Sequence, residues 1–592
     1  MKSRILLIVG IIFLLTSCED ILTEKSFDFI QPNTISDSDE GVDLWVDGVY
    51  KNIYSTSWNI LPTGRELDGD YNTGPVWKFK AVGSGDFQGE FTVEYFWTVP
   101  YTIIALANYA ITGISNMNVA SEAKRNSGLG ELYFLKAWSY FQLVRDFGPV
   151  PIYYTTGDLS KPHSRRPVSE VYAHIIQLLK DAEDLMPKNT DAGFVAGKAS
   201  AGAAASLLSK VYLTMASGAK SGVTITIKGG PAYDNTLPDS KHEKWTVAPI
   251  SIQINKPISV TGYESFDPAI YFALASEKAK QVIDGAYGTY SLFLDTSTTK
   301  GWDDLWNVNN KNKGENIWSL QSTNTKTAYT TNIATYNSGQ WSVNTVALNN
   351  GAVIGAYSIS SPSMGCNYHW YSLFESTDIR ITNGVFHSWQ NGSVIGSQTG
   401  GSYYPSDLNW QTKKTAKTAP WFTLANVTSY SPNGTHTACL TKTFYRSERS
   451  TSNTDLVYPF IRLAEVYLIY AEAKNEVDGP GSDALTYLNL VRTRSSATPY
   501  TYLGGTSFDI STADDFRSIV IEERARELAF ENGDRRNDLL RWGLYLDAMN
   551  SFKGIDENGL SKSRLPKHLL YPIPTLEIAT NDSIKDNNPG WK

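Results

Sequence analysis

The chain has 592 residues and a net charge of −8, with 41% hydrophobic and 19% charged residues. That length supports one large core or several. The acidic balance excludes the basic face a nucleic-acid binder needs, and beyond the N-terminus no apolar run is long enough to span a membrane.

The chain opens with Lys2 and Arg4, followed by eleven residues without charge or proline, Ile5 to Leu15. This is a signal-peptide core, too short to serve as a final anchor. Leu15-Thr16-Ser17-Cys18 closes it. A small residue directly before a cysteine at this place looks like a bacterial lipobox, in which the thiol is lipidated and the cysteine becomes the new N-terminus. Residues 1–17 are thus expected to be a lipoprotein signal peptide, with Cys18 the lipidation site. Loss of Lys2 and Arg4 then takes the net charge from −8 to −10. Residues 18–35 are polar and read as a lipidated tether.

Helices are predicted from there on. Ser36 and Asp37 offer caps before Val42, Val46, Val49 and Ile53, which share one helical face. Tyr95 to Ile111 reads as a second helix. Leu129 to Phe147 reads as a third, stopped by Gly148-Pro149. Pro167-Val168-Ser169 opens a fourth, which ends at Pro187. A fifth runs from about Ala199 to Ala216, where Gly202-Ala203-Ala204-Ala205 permits close approach by a neighbour. Each such helix has an apolar face that only a neighbour can cover, which suggests stacked helical hairpins. Leu129-Gly130-x-x-Tyr133 matches part of the tetratricopeptide pattern.

Residues 217–265 change character, and alternation in Thr224 to Ile227 and Ile250 to Ile258 predicts short strands or a long loop. Helix returns over Pro268 to Gly285. Residues 296–455 are rich in Asn, Thr, Ser, Gly and Trp and show little helical period. They read as an irregular, Trp-rich insert, and loops on a rigid scaffold are where binding residues gather. Helices resume at Ile461 and turn back at Gly479-Pro480-Gly481. Two more are expected over Asp514 to Glu531 and Asp538 to Asn550. The tail from Leu565 lacks a period.

The chemistry-bearing residues are sparse. Cys366 and Cys439 are read as free, buried thiols, since one pair in so long a chain is no disulfide framework. The seven histidines are scattered, without a metal-ligand spacing, and no zinc site is expected. Asp68-Gly69-Asp70-Tyr71-Asn72 resembles the start of a calcium loop, but Thr73 and Phe79 stand where that loop needs Gly and Glu. No cofactor is expected, although a looser calcium site stays open. The densest charge run, Glu522 to Trp542, could be imagined to hold a glycosidase's two acids. Its acids alternate with arginines, which favours a network of ion pairs that holds them ionised.

Exposed aromatic rings stack on the apolar faces of sugars. Trp77, Tyr329, Tyr336, Trp341 and Trp389 lie in polar, Asn/Ser/Thr/Gly-containing surroundings that suit this role. For any single one, burial in the local core is the commoner state.

Five blocks, in order, carry a family resemblance: Thr16-Ser17-Cys18-Glu19-Asp20; Gly130-Glu131-Leu132-Tyr133-Phe134-Leu135-Lys136-Ala137 through Phe147-Gly148-Pro149; Arg462-Leu463-Ala464-Glu465-Val466-Tyr467-Leu468-Ile469-Tyr470-Ala471-Glu472-Ala473; Glu527-Leu528-Ala529-Phe530-Glu531 through Arg541-Trp542-Gly543; and Tyr571-Pro572-Ile573-Pro574 with Asn588-Pro589-Gly590-Trp591. In these the chain resembles the SusD-like (RagB/SusD) outer-membrane lipoproteins of Bacteroidetes. It departs from them at Asn537, where the family usually has an aromatic. The resemblance implies a mainly α, tetratricopeptide-like helical hairpin scaffold with an inserted irregular subdomain rich in loops and short strands. The regions are then 36–295 (N-terminal helical), 296–455 (ligand-binding insert) and 456–592 (C-terminal helical region and tail). It implies a non-enzymatic receptor at the cell surface, anchored by lipid to the outer membrane, that captures an oligosaccharide. It also implies a partner, a SusC-like TonB-dependent transporter, over which the protein acts as a lid. By region only, it directs attention to Asp68 and Trp77 and to residues 329–389 as glycan contacts. The alternatives are a lipid-anchored glycoside hydrolase and a peptide-binding lid of the same family.

Overall fold

The computed structural model describes residues 35–53, 64–74, 80–231, 242–258, 260–297, 300–323, 364–390 and 457–592 except 533, with shorter stretches at 233–234, 236–238, 340–347, 353–360, 400–405, 429–432, 437–442 and 455. For the strand residues 340–347, 353–360, 388–390, 400–403 and 429–432, only backbone pairing is described. Cys18, Trp77, Tyr329 and Tyr336 lie outside the described residues, as do the signal peptide and most of the tether.

The scaffold begins with α1 (Asp39–Ile53), α2 (Phe91–Ser115), α3 (Glu122–Phe147), α4 (Val168–Leu185) and α5 (Ala201–Ala219). The face of α1 predicted from its spacing, Val42, Val46, Val49 and Ile53, is the one it buries. Ser121 and Ser200 cap α3 and α5 by accepting the N–H groups of Lys124 and Ala203. All of α5 is buried. The close approach its small residues foretold comes at Gly202, where an added Cβ would meet the Tyr290 hydroxyl at 2.2 Å.

A hairpin follows, β1 (Thr224–Gly229) antiparallel to β2 (Ile250–Asn255), and then α6 (Pro268–Ile283). The chain next forms β3 (Asn316–Leu320), a hairpin of β4 (Gln340–Ala347) with β5 (Val353–Ser360), and a small sheet of β6 (Ser388–Gln390), β7 (Gly400–Tyr403) and β8 (Ser429–Pro432). It returns through β9 (Tyr458–Arg462) into α7 (Leu463–Asp478), α8 (Ser482–Arg494), α9 (Ala513–Glu527), α10 (Asp534–Arg541) and α11 (Tyr545–Asn550).

Helices pack on their neighbours in order, α1 on α2 and so on to α5 on α6. The next neighbour of α6 is α7, although the insert separates them in sequence. The antiparallel pair β3–β9 closes the neck through which the chain leaves the stack and re-enters it. The result is the mainly helical, hairpin-stacked architecture expected, with short strands confined mostly to the insert.

Two expected helices are shorter than their spacing suggested. Asp514 to Glu531 stops at Glu527, because Phe530 and Asn532 adopt left-handed backbone (φ +57° and +66°). The turn lets Glu531 swing back to Arg462 and Lys442. Asp538 to Asn550 is instead two helices broken at Gly543, whose φ of +65° favours glycine. The aperiodic tail is ordered by side chains: Asn588 donates to the carbonyls of Phe147 and Tyr571, and the Trp591 indole donates to those of Lys567 and Leu570.

The charge run is a buried ion-pair lattice, as its alternation predicted. Glu523 accepts from Arg380, Arg492 and Arg526 at 2.5–2.8 Å. Glu527 accepts from Arg380, Arg462 and Arg494, and Glu531 from Arg462 and Lys442. Burial alone would raise these carboxyls. The surrounding guanidiniums outweigh it and hold Glu523 down to about 2 and Glu527 lower still. Because Arg380 and Lys442 come from the insert and Arg462 from its neck, this lattice fastens the insert to α9.

Four of the insert tryptophans are core residues. Trp302, Trp306, Trp318 and Trp370 are all under 8% exposed. Trp318 meets Phe134 and Trp138 of α3 edge-on at 4.8 and 5.4 Å. Cys366 and Cys439 are free and buried.

A candidate binding face where the insert meets the scaffold

The two regions singled out in the sequence, 68–77 and 329–389, come together at their roots. Asn72 pairs with Cys366 and Thr73 with Gly365 in a short antiparallel contact, and Cys366 bridges onward to Ala438. The segment leading into Trp77 therefore starts against the insert.

Asp68 does not belong to a ligand surface. It is fully buried and takes hydrogen bonds from Arg536 (2.7 Å), Arg564 (3.0 Å), Tyr545 (2.6 Å) and Tyr571 (3.1 Å). Its expected contact with glycan is corrected accordingly: Asp68 is an anchor for the loop. Asp70 likewise meets Arg535 through two bonds of 2.7 Å. The carboxylates that suggested a calcium loop are spent on arginines and tyrosines. Trp341 pairs with Ile359 and Trp389 with Ser402 through their backbones, which places them in β4 and β6.

The same junction exposes rings that sequence reasoning passed over. Asn367 caps a single helical turn, Tyr368–Tyr371, by accepting the Trp370 N–H at 3.1 Å, and its own amide is held by the Asp70 carbonyl. The turn buries His369 and Trp370, and the Trp370 indole donates to the Ala525 carbonyl at 2.8 Å. Tyr368 and Tyr371, three residues apart, are left half-buried, their rings near parallel at 24° with centroids 6.1 Å apart. Tyr404 backs Tyr371 edge-on at 5.4 Å.

A buried polar cluster holds the same junction, where Thr73 pairs with Gly365. Asn558 donates to the hydroxyls of Thr73 and Thr437. Asp556 accepts from Thr73, and its other oxygen caps the N–H groups of Asn558 and Leu560. Glu557 is 4% exposed, and the donors nearest its carboxyl are the backbone N–H groups of Tyr368 and of Glu557 itself. Burial, and next the Asp556 charge, push its carboxyl up to about 8. His369 is buried with the Val247 backbone against its ring, and burial pushes it down to about 4. The motif Asn367-Tyr368-His369-Trp370-Tyr371 was visible in the sequence as an Asn cap before an aromatic cluster. Nothing local marked Glu557.

The fold and this face define a class: a scaffold of stacked helical hairpins whose insert presents aromatic rings, with the strongly acidic runs locked in ion pairs. Sequence comparison gives the family. The model of the SusD family matches residues 294–591, and one described as starch-binding associating with outer membrane matches residues 66–213. The chain belongs to the SusD family. It is 25% identical over its whole length to SusD-like protein P2 of Formosa agariphila, which it also covers completely. Its fold is similar to that of a SusD homolog from Bacteroides thetaiotaomicron, with a TM-score of 0.68 at 20% identity, covering 95% of this chain and 98% of that one. It is also similar to a laminarin binding SusD-like protein, with a TM-score of 0.62 at 19% identity, covering 94% and 100%.

Proposed function

We propose that this protein is a cell-surface lipoprotein that captures an oligosaccharide and delivers it to a SusC-like TonB-dependent transporter, serving as its lid. The observation that carries the binding role is the half-buried, near-parallel Tyr368–Tyr371 pair at the junction of insert and scaffold. Paired rings offer stacking surfaces to sugar C–H faces. Membership of the SusD family supports the reading, as does the similarity in fold to a laminarin binding SusD-like protein. Cys18 supports the lipid anchor, and with it placement at the outer membrane facing outward.

The protein is read as a binder rather than a hydrolase. Glycoside hydrolysis needs two carboxyl groups flanking one bond. Among the described residues at the junction, Asp68 and Asp70 are bound by arginines, and Asp556 is occupied by Thr73, Asn558 and Leu560. That leaves Glu557 without a second available acid. Calorimetry of the chain from Cys18 onward against a panel of neutral and acidic oligosaccharides tests the proposal. Saturable binding to one class, without turnover of the bound sugar, is expected. Failure of every glycan to bind, alone or with the co-purified transporter, would overturn it.

A further inference from the structure

The β1–β2 hairpin falls where the sequence predicts short strands or a long loop, and the family resemblance did not point to it. Its far end carries an aromatic pair, Tyr233 and Trp245, with centroids 5.5 Å apart and planes at 33°. Both rings are half-buried, and the Lys244 ammonium lies 5.5 Å from the Trp245 ring.

This hairpin end is held to the junction described above. The Gly230 N–H donates to Ser551, and the Tyr71 hydroxyl donates to the Lys228 carbonyl. The next residue, Phe552, lies 5.9 Å from the His369 ring, and the Val247 backbone approaches that same ring. Tyr233 is within electrostatic reach of both Asp556 and Glu557. On the opposite side, the Tyr368 backbone faces Glu557, and Tyr404 feels its charge together with the rings of Tyr368 and Tyr371. Glu557, nine-tenths buried, is thus within electrostatic reach of Tyr233 on one side and beside the Tyr368 backbone on the other.

We propose that Tyr233 and Trp245 form a second wall of the binding face, so that an oligosaccharide spans from the hairpin end to Tyr368–Tyr371 across Glu557. This rests on the glycan-binding reading above. The site takes a chain of several sugar units rather than a monosaccharide, because each wall presents its own pair of rings.

The test uses the chain from Cys18 onward and an oligosaccharide that the unmodified protein binds. Trp245→Ala and Tyr233→Ala should each weaken binding at least about tenfold, the scale of losing one ring from a stacking platform. The corresponding monosaccharide should bind far more weakly than the oligomer, and both variants should bind it more nearly alike. Because either substitution could disturb the hairpin, hydrogen exchange of the unmodified protein provides the second arm: ligand should protect the peptide carrying Trp245 as well as that carrying Tyr368. Oligosaccharide binding unchanged in both variants, or protection confined to the Tyr368 peptide, overturns the second wall and leaves the glycan reading standing. If no glycan binds the unmodified protein, both fall.

Discussion

Arg535 grips Asp70 through two hydrogen bonds of 2.7 Å, although 465 residues separate them. The Tyr71 ring covers the guanidinium at 4.3 Å, and both charges are buried. The pair fixes the segment that runs from Asp68 to Thr73 and so sets the root of the binding face. Removing one partner leaves the other charge buried and uncompensated. Arg535→Ala is expected to cost about 3–5 kcal/mol of stability. A double replacement, Asp70→Asn with Arg535→Met, should recover a large part of that loss. Urea midpoints of the two single variants and the double variant give the coupling, and a coupling near zero would show that the pair does not hold this segment.

The arginine lattice makes the fold sensitive to acid. Glu523 and Asp538 are held near 2 because adjacent guanidiniums outweigh the effect of burial, and Glu527 is lower. Their folded-state values lie below the unfolded range of about 4. Their contribution is therefore fully present above about pH 5 and is lost as pH falls toward 2. Denaturation midpoints should be insensitive to these groups from pH 5 to 7 and fall steeply below pH 4. Replacing Glu527 by Gln should flatten that fall while lowering stability at pH 7. An unchanged acid limb in Glu527→Gln would remove the lattice as its cause.

The helical stack was legible because burial on one face leaves a 3.6-residue period, as Val42, Val46, Val49 and Ile53 show. The lattice was legible because acids and arginines alternate along α9. What escaped was pairing over long separations. Asp68 looks like a loop carboxylate until Arg536 and Arg564, 468 and 496 residues away, are brought onto it. In Asn367-Tyr368-His369-Trp370-Tyr371 the sequence supplies four rings but not their sides. Docking of the turn on α9 decides that Trp370 is buried while the two tyrosines stay half-buried. The tryptophan-rich composition of the insert drew attention to rings that, for Trp302, Trp306, Trp318 and Trp370, fill cores.

That division of labour predicts a contrast within one helical turn. Tyr368→Ala and Tyr371→Ala should weaken oligosaccharide binding by about 1–3 kcal/mol, taking base–aromatic stacking as the scale. Their melting temperatures should change little, since both rings are only half-buried. Trp370→Ala removes a buried ring and its bond to Ala525, and should cost about 3–5 kcal/mol of stability. Calorimetry and thermal melts of the three variants separate the roles. Full affinity in both tyrosine variants would show that the pair is not the platform.

Cys18 ties this face to a membrane in the proposed function. Cys18→Ala should abolish incorporation of labelled palmitate and shift the protein from the membrane to the soluble fraction. The released protein should bind oligosaccharide with unchanged affinity, because the rings proposed to carry binding belong to the insert and not to the lipidated N-terminus. Retained label in Cys18→Ala would place the lipid elsewhere.

Glu557 gives the clearest pH signature. Burial and the Asp556 charge raise its carboxyl to about 8, well above the unfolded value near 4.3. The sign is opposite to that of the lattice. Below about pH 4 Glu557 is protonated in both states and costs nothing as an ion. As pH rises from 4 toward 8 the unfolded chain releases its proton while the folded protein keeps it, so folding loses about 1.4 kcal/mol per pH unit from this group. Glu557→Gln removes the titration and keeps the shape. The variant should match the unmodified protein near pH 4.5 and exceed it at pH 7 by about 2–4 kcal/mol. Urea midpoints at both pH values decide the point. A difference that does not grow with pH would mean that Glu557 is ionised in the folded protein and already satisfied there.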